Sequence, residues 1–288
     1  MGEFSAAWLA LRAAADQRSR ATDLIAPLRD LCARQATIRV LDLGCGTGAN
    51  MRVLAPVLGG VQAWRGVDAD RSLLACCDLE TRRWAAAMGY HWDPVRRCAR
   101  GQTPPFECAL RTHAADLTAG PDVLPLAHSD LVTASALLDL VSEAWLSRLV
   151  SACAQRGLPM LFVLTYDGRI TFDPVDELDH TLVELVNQHQ GRDKGFGPAL
   201  GPAAVGRLEA LANRFGYQVQ ARRSDWQLGA GDAPLQRALI QGWYQAACEQ
   251  NPAAAPALQA WCSAREEAIA QGRLGILVGH RDQLLMPL

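Results

Sequence analysis

Lysine is all but missing from this chain. Of its 28 basic residues only Lys194 is a lysine and the rest are arginine, an imbalance that points to a GC-rich bacterial genome rather than a physical need. A charge excess is missing too. The formal net charge is -2, so the simplest footprint of a nucleic-acid surface, a clear basic surplus, is not there. No apolar run is long enough to span a bilayer, and the Met1-Gly2-Glu3-Phe4 start lacks the charged-then-apolar pattern of a secretory signal; the expectation is a cytoplasmic protein with no membrane partner. No Cys-x-x-Cys pair occurs among the nine cysteines, which reads as free buried thiols rather than a metal site or a disulfide framework. Internal repeats and low-complexity tracts are absent as well.

What remains is the composition of an ordinary globular protein, 50% hydrophobic and 20% charged, in 288 residues that suffice for one large domain or a domain with a cap. The chain is organised around residues 38–50. The apolar run Ile38-Arg39-Val40-Leu41-Asp42-Leu43 ends in Gly44-Cys45-Gly46-Thr47-Gly48, and a helical pattern through Met51, Leu54 and Val57 follows at once. Strand, tight turn and helix start in that order form a ligand cradle, because glycine lets the backbone bend and removes the Cβ atoms that would hold a ligand off. Read blandly, the glycines only make the bend.

Two ligand classes fit the loop. Gly44-x-Gly46-x-x-Ala49 satisfies the dinucleotide fingerprint of NAD-dependent oxidoreductases. Asp42-x-Gly44-x-Gly46-x-Gly48 resembles the first motif of class I S-adenosylmethionine-dependent methyltransferases. A carboxylate two residues ahead of the first glycine would repel a pyrophosphate and favour ammonium and sulfonium charges, so Asp42 argues for the second.

Residues 4 to 34 read as two helical pieces, with Phe4, Trp8 and Leu11 on one stripe and Leu24, Leu28 and Leu31 on another behind a Thr22 cap. Arg12 and Arg20 within them could reach a carboxylate of cofactor or substrate. A second strand, Val61 to Val67, ends in Asp68, an acid placed to accept both hydroxyls of a ribose. Asp70 is a candidate cap for the next helix, from Arg71 towards Met88. Residues 89 to 105 read as a loop insertion. Cys108 to His113 alternates as a third strand and delivers Asp116, which suits a turn cap or, by the resemblance to the methyltransferase pattern, the place of an adenine contact. Asp130 to Ser135 is the fourth strand, Ser142 caps the helix after it, and Met160 to Thr165 is a buried fifth. No Asn-Pro-Pro-Tyr or Asp-Pro-Pro-Tyr follows the fourth strand, which argues against an enzyme that methylates amino groups of nucleic-acid bases.

Tyr166 to Pro202 reads as an insertion that leaves the fifth strand, with a helix from Pro174 to Gln190 and a glycine-rich loop behind it. Ligands of open parallel sheets bind beyond the strands' C-terminal ends, so this insertion is expected to overhang the site. His180 and His189 in its helix are candidate bases, or simply packed side chains. A helix from Ala203 to Phe215, a strand from Tyr217 to Ala221, helices over 233–249 and 256–271, and a strand from Leu274 to His280 complete the chain.

By its motifs and its closing strand pair the chain resembles a class I S-adenosylmethionine-dependent methyltransferase over residues 36 to 285. That resemblance implies an α/β, Rossmann-like, seven-stranded and mostly parallel sheet with an antiparallel last strand, plus helical insertions. It divides the chain into an N-terminal helical segment (1–35) and a methyltransferase domain (36–288), with insertions at about 166–202 and 225–272 forming a cap. It implies S-adenosylmethionine as cofactor, with Asp42, Gly44, Gly46 and Gly48 at the methionine part, Asp68 at the ribose, Asp116 and Leu117 at the adenine, and Leu43, Ala69 and Ser135 along the cleft. Methyl transfer from a sulfonium is an in-line displacement that compels no catalytic residue. Position alone nominates Tyr166, Asp167, His189 and Lys194 for the acceptor. The neutral charge and the insertions favour a small-molecule acceptor over nucleic acid. A catalytically inactive, methyltransferase-like partner subunit is the non-enzymatic alternative, and nothing in the sequence fixes the oligomeric state.

Overall fold

The structure, a computed structural model, describes residues 5–288, so Phe4 and the start of the chain lie outside the described residues. In chain order the helices are α1 (Ala6–Ser19), α2 (Ala26–Ala33), α3 (Ala49–Leu58), α4 (Arg71–Ala87), α5 (Glu143–Ala154), α6 (Asp179–Gln190), α7 (Ala204–Arg214), α8 (Ala233–Gln250) and α9 (Ala255–Ala270). The strands are β1 (Ile38–Leu43), β2 (Gly60–Asp68), β3 (His91–Asp93), β4 (Cys98–Gln102), β5 (Pro105–Ala114), β6 (Leu131–Ser135), β7 (Met160–Asp173), β8 (Tyr217–Arg223), β9 (Trp226–Leu228) and β10 (Gly275–Pro287).

All ten strands join one sheet in the order β3-β4-β5-β2-β1-β6-β7-β10-β8, with β9 paired to β10. Strands β5, β2, β1, β6 and β7 run parallel, and β10 runs antiparallel between β7 and β8. This is the Rossmann-like, mostly parallel sheet with an antiparallel last strand that the sequence led us to expect, enlarged at both edges. The order reverses at β1, where the crossovers to β2 and to β6 leave on opposite sides, and a doubly wound sheet has its crevice there.

Alternation along the strands divides the core. On β1, Leu41 and Leu43 join the cluster under α5 and α7, whereas Ile38 and Val40 join the one under α2, α3 and α4. On β7, Met160 and Phe162 face the first layer and Leu161 and Val163 the second. A third cluster gathers the far end of β7 with α6, α8 and α9 around Phe172, Trp243 and Trp261. All nine thiols are free, and all but Cys76 and Cys248 are buried. Among the described residues no helix is long and apolar enough to cross a membrane.

Three expectations need correction. Residues 89 to 105 are not a loop: β3 and β4 form a hairpin whose second arm pairs antiparallel with β5, and with β9 they make ten strands among the described residues in place of seven. These arms are too short to show alternation, and the hairpin is held by buried Cys98 and Ala99 and by Tyr90, packed edge-on to Trp84 (5.2 Å) and Phe106 (4.9 Å). Tyr166 does not leave the sheet: β7 continues to Asp173 because β10 pairs with it as far as Gly275, the shift of register between Val278 and His280 absorbs the irregular Asp167-Gly168-Arg169 stretch, and the shift between Arg281 and Gln283 absorbs Val163-Leu164. The inserted helix therefore starts only at Asp179. Thr22 caps nothing and opens a single 3₁₀ turn that runs on into α2. Asp70 and Ser142 do cap α4 and α5.

Candidate functional site

Between β1 and α3 the chain turns through Gly44, Gly46 and Gly48, all left-handed at φ 61°, 52° and 79°. At Gly46 the requirement is double. A Cβ would strain the backbone and would also lie 2.8 Å from Cδ1 of Leu9, which α1 sets on top of the loop. The loop is tied to the end of β2: the Cys45 amide donates to the Val67 carbonyl (3.1 Å) and the Gly46 amide to Asp68 Oδ2 (2.8 Å). Asp68 Oδ1 accepts from the Asp70 amide (2.9 Å). One carboxylate thus fixes both turns at the switch point, and each of its oxygens keeps a lone pair for a ligand hydroxyl.

Behind the loop lies a buried polar chain. Asp42 is 1% exposed, and its Oδ1 accepts from Asn50 Nδ2 (2.8 Å). Burial pushes its carboxyl up to about 7, against the pull of the Asn50 hydrogen bond and of Arg20. Asn50 Nδ2 also donates to Thr133 Oγ1 (3.1 Å) and its Oδ1 accepts from Arg20 Nη1 (2.7 Å). Arg20 Nη2 donates to Ser135 Oγ (3.2 Å). Two buried atoms of this chain have no partner, Asp42 Oδ2 and Arg20 Nε, and burial lowers the Arg20 pKa. The segment after Arg20 is anchored by Asp282, whose Oδ2 accepts from the Ala21 amide (2.9 Å) and whose Oδ1 accepts from the Leu164 amide (2.7 Å).

The loop opens into a cavity of about 1300 Å³ over the C-terminal ends of β1, β2 and β6. Of the residues nominated from sequence, Arg12, Arg20, Gly44, Gly46, Asp68, Ala69, Asp116, Leu117, Ser135, His189 and Lys194 line it. Asp42, Leu43 and Gly48 stand behind its wall, where Asp42 and Leu43 are buried. Asp116 caps a turn by accepting from the Thr118 amide (2.8 Å), which holds its carboxyl below the usual range, while its side chain borders the cavity.

Tyr166 and Asp167 are not brought to the cavity. Because β7 continues, they are carried along the sheet beside β10: Tyr166 donates its hydroxyl to Asn187 Oδ1 (2.7 Å), and Asp167 pairs with Arg169 (2.6 Å) and Arg281 (3.6 Å). His180 is exposed next to Glu184 (3.8 Å). Asn50 is a polar lining residue that the sequence reading left out. Asn50 stands in the first turn of the helix behind the glycines, a signal that could have found it; Arg20 reaches the site only through the tertiary packing of the N-terminal segment.

Two covers close the cavity. The first is α1, carrying Leu9, Arg12 and Asp16. Arg12 forks onto Asp16 (2.8 and 3.1 Å) and lies over the Trp226 ring, whose Nε1 donates to Asp16 Oδ1 (3.1 Å). The second is the strap over 191–201. Asp193 Oδ1 accepts from the amides of Gly195 (2.7 Å) and Gly197 (3.0 Å) and folds it, and Phe196 packs edge-on to Trp145 at 5.5 Å. Trp145 Nε1 donates to the Leu117 carbonyl (2.6 Å), while the amides of Leu200 and Gly201 donate to the carbonyls of Val141 and Asp139 (2.9 Å each). The Asp139 carboxyl beneath the strap is pushed up to about 6 by burial. His189 holds Glu249 Oε2 at 3.0 Å, and burial lowers its pKa. Among the described residues none between 225 and 272 lines the cavity; α8 and α9 pack on each other and α8 on α6.

No family model matches the chain, and no curated protein matches it. Among solved structures, the chain is similar to the YcgJ protein of Bacillus subtilis at 14% identity over 93% of this chain and 100% of that one, with a TM-score of 0.48. It is similar to a SAM-dependent methyltransferase from Thiobacillus denitrificans, solved with S-adenosyl-L-homocysteine, at 13% identity over 99% and 100% of the chains and a TM-score of 0.45. A sarcosine dimethylglycine methyltransferase structure from Galdieria sulphuraria gives 11% identity over 92% and 84%, with a TM-score of 0.44. Likenesses of this size carry no argument about chemistry, which rests on the residues of this cavity.

Proposed function

We propose that the protein is an S-adenosylmethionine-dependent methyltransferase acting on a small-molecule acceptor by in-line transfer. The observation that carries this reading is the convergence on one glycine loop of three polar features: Asp68 at the end of β2, the buried Asp42-Asn50 pair, and Arg20 with an unpartnered Nε. An anion at the ribose end and a cation at the other suit an adenosyl amino acid, whose diol is a donor and whose carboxylate needs an Arg. They suit a pyrophosphate poorly, because the Gly46 amide that would meet a phosphate oxygen already donates to Asp68.

The donor, when bound, supplies a methyl group already activated on a sulfonium. Everything asked of the chain is then placement and dryness. Gly44 and Gly46 let the backbone approach, Asp68 takes the ribose hydroxyls, Arg20 takes the carboxylate, and Asp116 with Leu117 borders the adenine. A cavity of about 1300 Å³ exceeds the roughly 300–1,000 Å³ that one small ligand fills, so it has room for donor and acceptor side by side. The acceptor enters between α1 and the strap, against Leu137, Leu140, His189 and Lys194, and both covers exclude water.

Calorimetric titration of S-adenosylmethionine, S-adenosylhomocysteine and NAD, with Asp68→Ala as control, tests this. Micromolar binding of the two adenosyl ligands and not NAD, weakened in the variant, is the expected result. Binding of NAD alone would make the protein an oxidoreductase, and binding of none would leave a methyltransferase-like partner subunit.

A further inference from the structure

The cations along the acceptor end are nearly all spoken for. Arg12 is held by Asp16, and His189 and Arg192 both turn to Glu249 (3.0 Å from His189, 3.8 Å from Arg192). Asp193 spends one oxygen on the amides of its own strap. Lys194 alone differs: it lines the cavity half-buried, and among the described residues it makes no ion pair or hydrogen bond. Asp139 and Glu249 act on it only from beyond ion-pair distance, and its pKa is lowered first by burial and then by Arg192. A partly desolvated ammonium without a counter-ion is a place where a ligand anion gains.

Its surroundings set the rest of that ligand. Leu9, Ala136, Leu137, Leu140 and Phe196 share the same cavity, and such a wall takes an apolar body. One unmatched positive charge balances one negative charge, whereas a phosphate dianion would bring a second and leave it unpaired. We propose that the acceptor is a monocarboxylate with an apolar body, and that Lys194 is the residue that binds its carboxylate. This rests on reading the cavity as a joint donor and acceptor site.

The test titrates octanoate and 3-phenylpropionate, each beside its primary amide, into protein saturated with S-adenosylhomocysteine. At least one acid binds about tenfold tighter than its amide, as a charge-assisted hydrogen bond predicts. The preference collapses in Lys194→Met and persists in Lys194→Arg, with S-adenosylhomocysteine affinity serving as the check on folding. Equal binding of acid and amide, no binding of either acid, or a preference that survives in Lys194→Met overturns the proposal. If S-adenosylhomocysteine does not bind, the same pairs are titrated into the unloaded protein. A Lys194-dependent preference there keeps the carboxylate site while the cofactor reading falls, and its absence overturns the site as well.

Discussion

The two walls of the cavity are built by different means. On the sheet side the parts are neighbours in sequence: residues 42 to 50 and 68 to 70 are held by backbone amides, left-handed glycines and one carboxylate. On the cover side they come from far apart, from α1, from the strap over 191–201 and from Glu249, and they are held by side-chain pairs and aromatic edges. The first wall has little freedom to change, since each part answers a constraint of backbone geometry. In the second, contacts can be exchanged without disturbing the sheet, which is where acceptor choice can be varied.

The comparison breaks if the sheet wall proves tolerant. Asp68→Ala removes the acceptor of two amides and of both ribose hydroxyls. At roughly 1.5–3 kcal/mol for each charged hydrogen bond, adenosyl-ligand affinity should fall about 1000-fold, and a calorimetric loss below tenfold would refute the role. Asp42→Asn probes the same wall through pH. Below pH 4 the carboxyl is protonated both folded and unfolded. As pH rises towards 7 the unfolded chain ionises while the folded protein, with its pKa raised to about 7, keeps the proton, so wild-type stability is lost across that window. The variant never ionises. Its stability relative to wild type should rise between pH 4 and 7 by on the order of 3 kcal/mol, read from urea unfolding at each pH; a flat difference would place Asp42 in a less hostile environment.

Smaller effects sharpen the contrast. Gly46→Ala strains a left-handed residue by roughly 1–2 kcal/mol and pushes on Leu9, so cofactor affinity should drop about tenfold. Leu9→Ala in the same molecule should restore part of it, and strict additivity of the two changes would show that α1 does not bear on the loop. On the cover side, Phe196→Ala removes an edge-to-face contact worth about 0.5–1.5 kcal/mol beyond its area. The acceptor KM should rise a few-fold while S-adenosylhomocysteine binding moves less than twofold; equal losses in both would make the strap part of the cofactor wall.

The same division decides what could be read from sequence. Strand β1, its glycines, Asp68, and the Asp70 and Ser142 caps are local patterns, and local physics writes them into neighbouring residues. The apolar runs marked the strands, while the parallel order and the antiparallel closing strand were implied by the resemblance to class I methyltransferases. Tyr166 was misplaced because the length of β7 is set by a partner more than a hundred residues away, and Asp-Gly composition looks like an exit when β10 is out of sight. The β3-β4 hairpin was missed because arms this short are stabilised by an aromatic trio that only the fold assembles. Arg20 was a candidate from sequence and does line the cavity, but its bond to Asn50 was not legible, since that path runs through packing and not through spacing.

Asp282 carries a consequence for how the protein is made. It holds the amide of Ala21, next to the arginine assigned to the cofactor carboxylate, and it sits in the last strand. A ribosome delivers the glycine loop more than two hundred residues before this anchor, so a nascent chain can shape its nucleotide cradle long before it can hold α1 and Arg20 in register over it. Ligand capture should therefore follow the pairing of β10 into the sheet, because the N-terminal segment is anchored only once Asp282 is in place.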